Sequence, residues 1–90
     1  MPLPAAPLSI VGVREGDRLR RPASSAGPLQ LKLAAVGGSG TRWWFLNGRP
    51  VAESRPGESI EQKLTASGLY QLSLLDQSGA TARVEFLLGD

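Results

Sequence analysis

Arg42-Trp43-Trp44-Phe45-Leu46, followed at once by Asn47-Gly48 and then by Arg49-Pro50-Val51, reads as a strand, a two-residue turn and a returning strand. Aromatic side chains suit the pleated, half-buried surface of a sheet. Asn-Gly is the strongest short hairpin signal, because a type I′ turn needs positive φ at both central residues. Asn47 and Gly48 are therefore assigned to the hairpin turn. Pro50 has no amide to offer a ladder, which argues that the returning strand lies at a sheet edge. Two tryptophans at adjacent strand positions must face opposite ways. Leu46 shares a face with Trp44, and both are assigned to the core; Trp43 and Phe45 then face outward.

The same period of two continues on either side of this hairpin. Ile60, Gln62 and Leu64 share one face of residues 59–65. Over 69–75, Tyr70, Leu72 and Leu74 point inward, with Gln71 and Ser73 outward. Over 81–88, Ala82, Val84, Phe86 and Leu88 point inward, with Thr81, Arg83 and Glu85 outward. Upstream, Leu29, Leu31 and Leu33 alternate with Gln30 and Lys32. Residues 8–13 read as a first strand, and a short extended piece covers Arg18 to Arg20. Glu15-Gly16-Asp17, residues 22–28, Gly37-Gly38-Ser39-Gly40, Arg55-Pro56-Gly57 and Asp76-Gln77-Ser78-Gly79 carry turn and loop chemistry.

About seven short strands and no helical periodicity predict a single all-β domain, an immunoglobulin-like antiparallel β-sandwich. Two details favour it over a barrel: a tryptophan in the third main strand, and Ser67-Gly68-Leu69-Tyr70 where a tyrosine corner would sit. The expected core is Leu31, Leu33, Trp44, Leu46, Tyr70, Leu72, Leu74, Val84 and Phe86. Residues 1–7, with three prolines, read as a Pro-rich linker, and 8–90 as the sandwich.

Composition narrows the function. The 90 residues contain no cysteine and no histidine, which removes thiolate metal sites, disulfides, Ser-His and Cys-His pairs and the commonest general base. No cofactor, metal site or catalytic residue is expected. The net charge is +2 and the arginines are scattered, with no nucleic-acid-binding motif beside them. No apolar stretch is long enough to span a membrane. The N-terminus lacks the basic and apolar regions of a signal peptide, so an exported domain of this sequence would belong to a longer protein. An isolated domain is expected to be a monomer.

The candidate sites are surfaces. Trp43, Phe45, Leu75 and Leu87 all fall on outer faces by alternation and are expected to form an interaction patch, since exposed apolar patches mark docking surfaces. A flipped register or covering loops would remove it. Arg18, Arg20 and Arg21 form a candidate anion-contact patch; the alternative is an edge strand protected by charge. Glu58 and Glu61 are close in sequence, as an acid/base pair would be, but are assigned to the solvated surface. The glycine run at 37–40 lacks the lysine of a phosphate loop and is assigned to a strand connection.

Pro7-Leu8-Ser9-Ile10, the block from Arg42 to Val51, and the stretch from Gly68 to Ala82 resemble the C-terminal immunoglobulin-like module of bifunctional class A penicillin-binding proteins of the 1C group. The resemblance covers nearly the whole chain, and Trp-Trp-Phe-Leu-Asn-Gly is its most specific part. It implies a parent protein anchored in the inner membrane of a Gram-negative bacterium, with a peptidoglycan glycosyltransferase and a transpeptidase-like, β-lactam-binding domain ahead of this module in the periplasm. The transpeptidase signatures Ser-x-x-Lys, Ser-x-Asn and Lys-Thr-Gly are absent here, so no catalytic residue carries over. The expectation is a non-catalytic accessory module in cell-wall synthesis. Its partner would be the parent's transpeptidase domain or a periplasmic protein, for which the resemblance suggests an α-macroglobulin. The alternative is a peptidoglycan-binding module that holds sugars and stem-peptide carboxylates by aromatic stacking and arginine. An unrelated adhesin repeat would show tandem copies, and there is no internal repeat.

Overall fold

The computed structural model describes residues 7–20 and 29–89. The described residues form β1 (Ser9–Val11), β2 (Asp17–Arg20), β3 (Leu29–Val36), β4 (Arg42–Leu46), β5 (Arg49–Ser54), β6 (Ser59–Leu64), β7 (Gly68–Asp76) and β8 (Thr81–Gly89). They make two sheets, β1-β3-β6 and β2-β8-β7-β4-β5. The all-β sandwich expected from the alternation is what the chain adopts. The division, β3 and β6 against β4, β7 and β8, is that of immunoglobulin-type sandwiches. Of the Pro-rich segment 1–7, only Pro7 lies within the described residues.

Two details differ from the sequence reading. Eight strands are described where about seven were expected. One pair is parallel, β2 alongside β8, with Asp17 opposite Phe86 and Arg20 opposite Gly89. The cause is at Gly12, where the chain leaves the first sheet for the second. Its φ of +115° belongs to glycine, and a Cβ there would lie 2.3 Å from the Lys32 carbonyl oxygen. Val13, buried beyond it, anchors the crossing, and β2 then runs in the same direction as β8.

The core lies between the sheets. Leu33 and Leu64 come from one sheet; Trp44, Tyr70, Leu72, Leu74, Phe86 and Leu88 come from the other; Leu8 and Val13 close it. Leu31, Leu46 and Val84 are partly buried against it. Tyr70 and Phe86 are opposite each other on β7 and β8, and their rings stack at 5.5 Å. Each such side chain taken out of water contributes about 1.5–3 kcal/mol before entropy is counted. The Tyr70 hydroxyl donates to the Ala66 carbonyl, so the tyrosine holds the β6–β7 corner.

The hairpin between β4 and β5 has Asn47 at φ 51° and Gly48 at φ 81°, the type I′ geometry. Asn47 also extends the β4–β7 ladder: its amide donates to the Gln71 carbonyl at 2.8 Å, and its Oδ1 accepts the Gln71 amide at 2.9 Å. β5 is an edge strand, as Pro50 requires. The register slips between Trp44 and Phe45, which leaves Val51 without an opposite residue. Such a bulge twists an edge away from further pairing.

Candidate functional site

The strand register lays out the outer face of the five-stranded sheet row by row. Thr81, Leu75, Trp43 and Glu53 stand side by side on β8, β7, β4 and β5. The next outward row is Arg83, Ser73, Phe45 and Pro50. Glu85 and Gln71 follow, and beyond them Leu87 and Leu69, with Arg18 beside Leu87 on β2. Trp43, Phe45 and Leu75 therefore form one cluster. Each is half-buried, because cross-strand neighbours such as Trp43 and Leu75 cover one another.

Leu87 does not join them. It is 41% exposed, but its opposite residue is Leu69, six positions along β7 from Leu75. That separation is about 20 Å at strand rise. The expected four-residue patch is thus two: an aromatic cluster at one end of the sheet and a Leu69–Leu87 pair at the other. Alternation gives the face a residue occupies and is silent about how far along the strand its partner stands. Arg18 and Arg20 are exposed on edge strand β2, beside the Leu69–Leu87 pair; Arg21 lies outside the described residues.

Below the aromatic cluster is a shallow depression of about 360 Å³, lined by Phe45, Ser73, Leu75, Thr81 and Arg83. An aromatic ring, an aliphatic wall, two hydroxyls and a guanidinium can hold an apolar group next to an anion. The outward position of Arg83 was readable from alternation. Its place two strands from Phe45 follows only from the strand order.

The inner face beside this cluster is polar at the same end of the sandwich. Arg42, Ser54 and Asp76 are all buried there. Asp76 Oδ1 accepts hydrogen bonds from the Ser78 hydroxyl at 2.6 Å and from the Ser78 and Ala80 amides, each at 2.9 Å. Its Oδ2 accepts the Ser39 amide at 2.9 Å. The Ser78 hydroxyl leads the effects that lower its pKa; burial opposes it, and the Ser39, Ala80 and Ser78 amides add to it, leaving the value at about 2. The carboxylate ties the β7–β8 hairpin to the β3–β4 connection. Gly38 makes room for it, since a Cβ there would lie 2.2 Å from Asp76 Oδ2. The glycine run is accordingly a connection shaped around a carboxylate. Arg42 donates to the Gly37 carbonyl, and its Nε has no partner among the described residues. Trp44 Nε1 donates to Ser54 Oγ at 3.0 Å. Sequence reasoning missed Asp76 and Ser54 as partners; the one available signal was that a buried indole N–H needs an acceptor.

The two acids singled out in the sequence do not converge. Glu58 accepts the Arg55 amide at 2.7 Å and closes a turn, while Glu61 faces outward on β6 opposite Lys32. Among the described residues, no three acidic side chains stand close enough to hold a metal ion, and no helix is long and apolar enough to cross a membrane.

Comparison with known proteins gives the frame for these surfaces. Residues 2–86 match the model of the Penicillin-Binding Protein C-terminus Family. The chain belongs to that family. It is 42% identical over 82 residues to penicillin-binding protein 1C of Escherichia coli (strain K12), a match that covers 91% of this chain and 10% of the relative. The chain thus spans about a tenth of the length of the curated relative it matches. As a member of the penicillin-binding protein C-terminus family, it is a β-sandwich whose distinguishing outward features are the aromatic cluster and the depression beneath it.

Proposed function

We propose that this domain is a non-catalytic accessory module of a periplasmic peptidoglycan synthase, and that it docks through Trp43, Phe45 and Leu75 onto the transpeptidase domain of its parent protein. The observation that carries the reading is the aromatic cluster itself: three large apolar side chains gathered on the outer face of a sheet whose other outward residues are mostly polar or charged. Its position supports an intramolecular partner. Leu8 packs at the Gly38–Asp76 end of the sandwich, one residue along the strands from Trp43 and Leu75. In a longer protein, a domain ahead of this one would enter at the same end of the sandwich as this cluster, and a tether raises effective concentration without any new contact. A separate periplasmic protein, such as an α-macroglobulin, would use the same face.

A second reading, peptidoglycan binding, draws on the depression, where Phe45 and Arg83 offer a stacking surface and a cation. Heteronuclear NMR of the labelled chain separates the two. Titration with the isolated transpeptidase domain should shift Trp43, Phe45 and Leu75 and leave the Leu69–Leu87 end unchanged. Shifts with soluble muropeptides alone would replace docking by wall binding. No response to either would refute both partners.

A further inference from the structure

The rim of the aromatic cluster has opposite charges on opposite sides. Arg83 stands on β8 and Glu53 on β5, with Ser73 and Leu75 of β7 and Phe45 and Trp43 of β4 between them. Both charged residues are exposed, and neither side chain makes a hydrogen bond or ion pair among the described residues. Three strand spacings separate the two strands, which with the two-residue offset along the sheet is about 16 Å. Five residues of extended chain reach about 13 Å between the first and last Cα, and put the side chains of positions one, three and five on one face.

We infer that this face takes an extended polypeptide segment laid across the strands, with a carboxylate over Arg83, an aliphatic side chain in the depression beside Phe45 and Leu75, and a cation over Glu53. The inference rests on the docking reading and specifies its partner: an acidic–apolar–basic segment with a spacing of two residues between successive contacts. Charge complementarity decides for a peptide chain over the bare sugar backbone of the wall; stem peptides, which carry amines as well as carboxylates, are separated by the muropeptide arm of the test. A glycan strand bearing only carboxylates would satisfy Arg83 and be repelled at Glu53, whereas a polypeptide carries both signs. Exposed pairs of this kind set choice of partner and orientation more than affinity.

The test uses three blocked peptides against the labelled chain: acetyl-Glu-Ala-Leu-Ala-Lys-amide, the same peptide with Glu at both ends, and the same with Lys at both ends. The mixed-charge peptide should bind roughly two- to fivefold more tightly than either like-charge peptide, as expected for one additional exposed ion pair. Its shifts should centre on Phe45, Ser73, Leu75 and Arg83. In Arg83→Glu the preference should move to the Lys/Lys peptide, a switch that misfolding would not produce. The double exchange Arg83→Glu with Glu53→Arg should restore the mixed-charge preference, because an extended peptide can reverse its direction. Equal binding of the three peptides at Phe45 and Leu75 overturns the charge arrangement and leaves the docking face standing. No shift at that face with any peptide overturns the inference, and silence with the transpeptidase domain as well overturns the docking reading beneath it. Shifts with muropeptides but not with peptides overturn it in favour of a wall ligand.

Discussion

Trp43 and Trp44 occupy adjacent positions of β4, yet their surroundings differ in every respect that matters to a side chain. Trp44 is 0% exposed, packed among Leu72, Leu74 and the facing sheet, with its indole N–H bound to Ser54. Trp43 is half-buried on the outer face, covered on one side by Leu75 and open above. The inner face of β4 stabilises the domain. The outer face, with the same chemistry, retains surface that folding leaves unused. The difference shows that residue type alone does not separate core from outer surface; the environment on each side of the pleat does.

Substitutions should break this symmetry unequally. Trp44→Ala should be the most damaging, destabilising the domain by about 3–5 kcal/mol, since it removes a fully enclosed ring and leaves a cavity. Chemical denaturation of the purified chain measures it; a loss close to that of Trp43→Ala would mean that the faces are assigned the wrong way round. Ser54→Ala should cost about 1–3 kcal/mol, because the buried indole N–H loses its acceptor. If Ser54→Ala is neutral while Ser54→Thr is destabilising, packing rather than hydrogen bonding matters at that site.

Acid acts on the inner face through Asp76. Its folded pKa of about 2 lies below the ordinary 3.8, so between those values the unfolded chain binds more protons than the native one. Its contribution is fully present above about pH 4 and is lost as pH falls through about 2. Thermal melting over that range should show a decline that Asp76→Asn, destabilised already at neutral pH, lacks. The smallest effect on stability is expected on the outer face: Trp43→Ala should cost less than about 1 kcal/mol, the range of a single cross-strand contact. The same variant should weaken docking to the transpeptidase domain, and unaltered docking would remove the aromatic cluster from the interface.

Sequence reasoning reached the faces and stopped short of the distances. It placed Trp43, Phe45, Leu75 and Leu87 outward, and all four are outward; it could not see that β7 carries Leu69 and Leu75 to opposite ends of the sheet. The Leu87 position failed for that reason. Arg83 was legible as a solvent-facing arginine and illegible as the rim of a depression, because the β4-β7-β8 order brings it near Phe45 from 38 positions away in the chain. The reach of Asp76 to Ser39, 37 residues distant, is a contact of the same kind.

The sequence by itself determined what local chemistry controls. The period of two dictated which side chains could share a face, Asn47-Gly48 dictated a type I′ turn, Pro50 dictated an edge, and the absence of histidine and cysteine removed whole classes of chemistry. The tertiary structure alone decided which strands became neighbours, the parallel placement of β2 beside β8, the hydrogen bonds that enclose Asp76, and the opposite charges that flank the aromatic cluster. Backbone periodicity and turn geometry are set within a few residues of chain. Strand order is set by the burial of two sheets against each other, a property of all the inward side chains together.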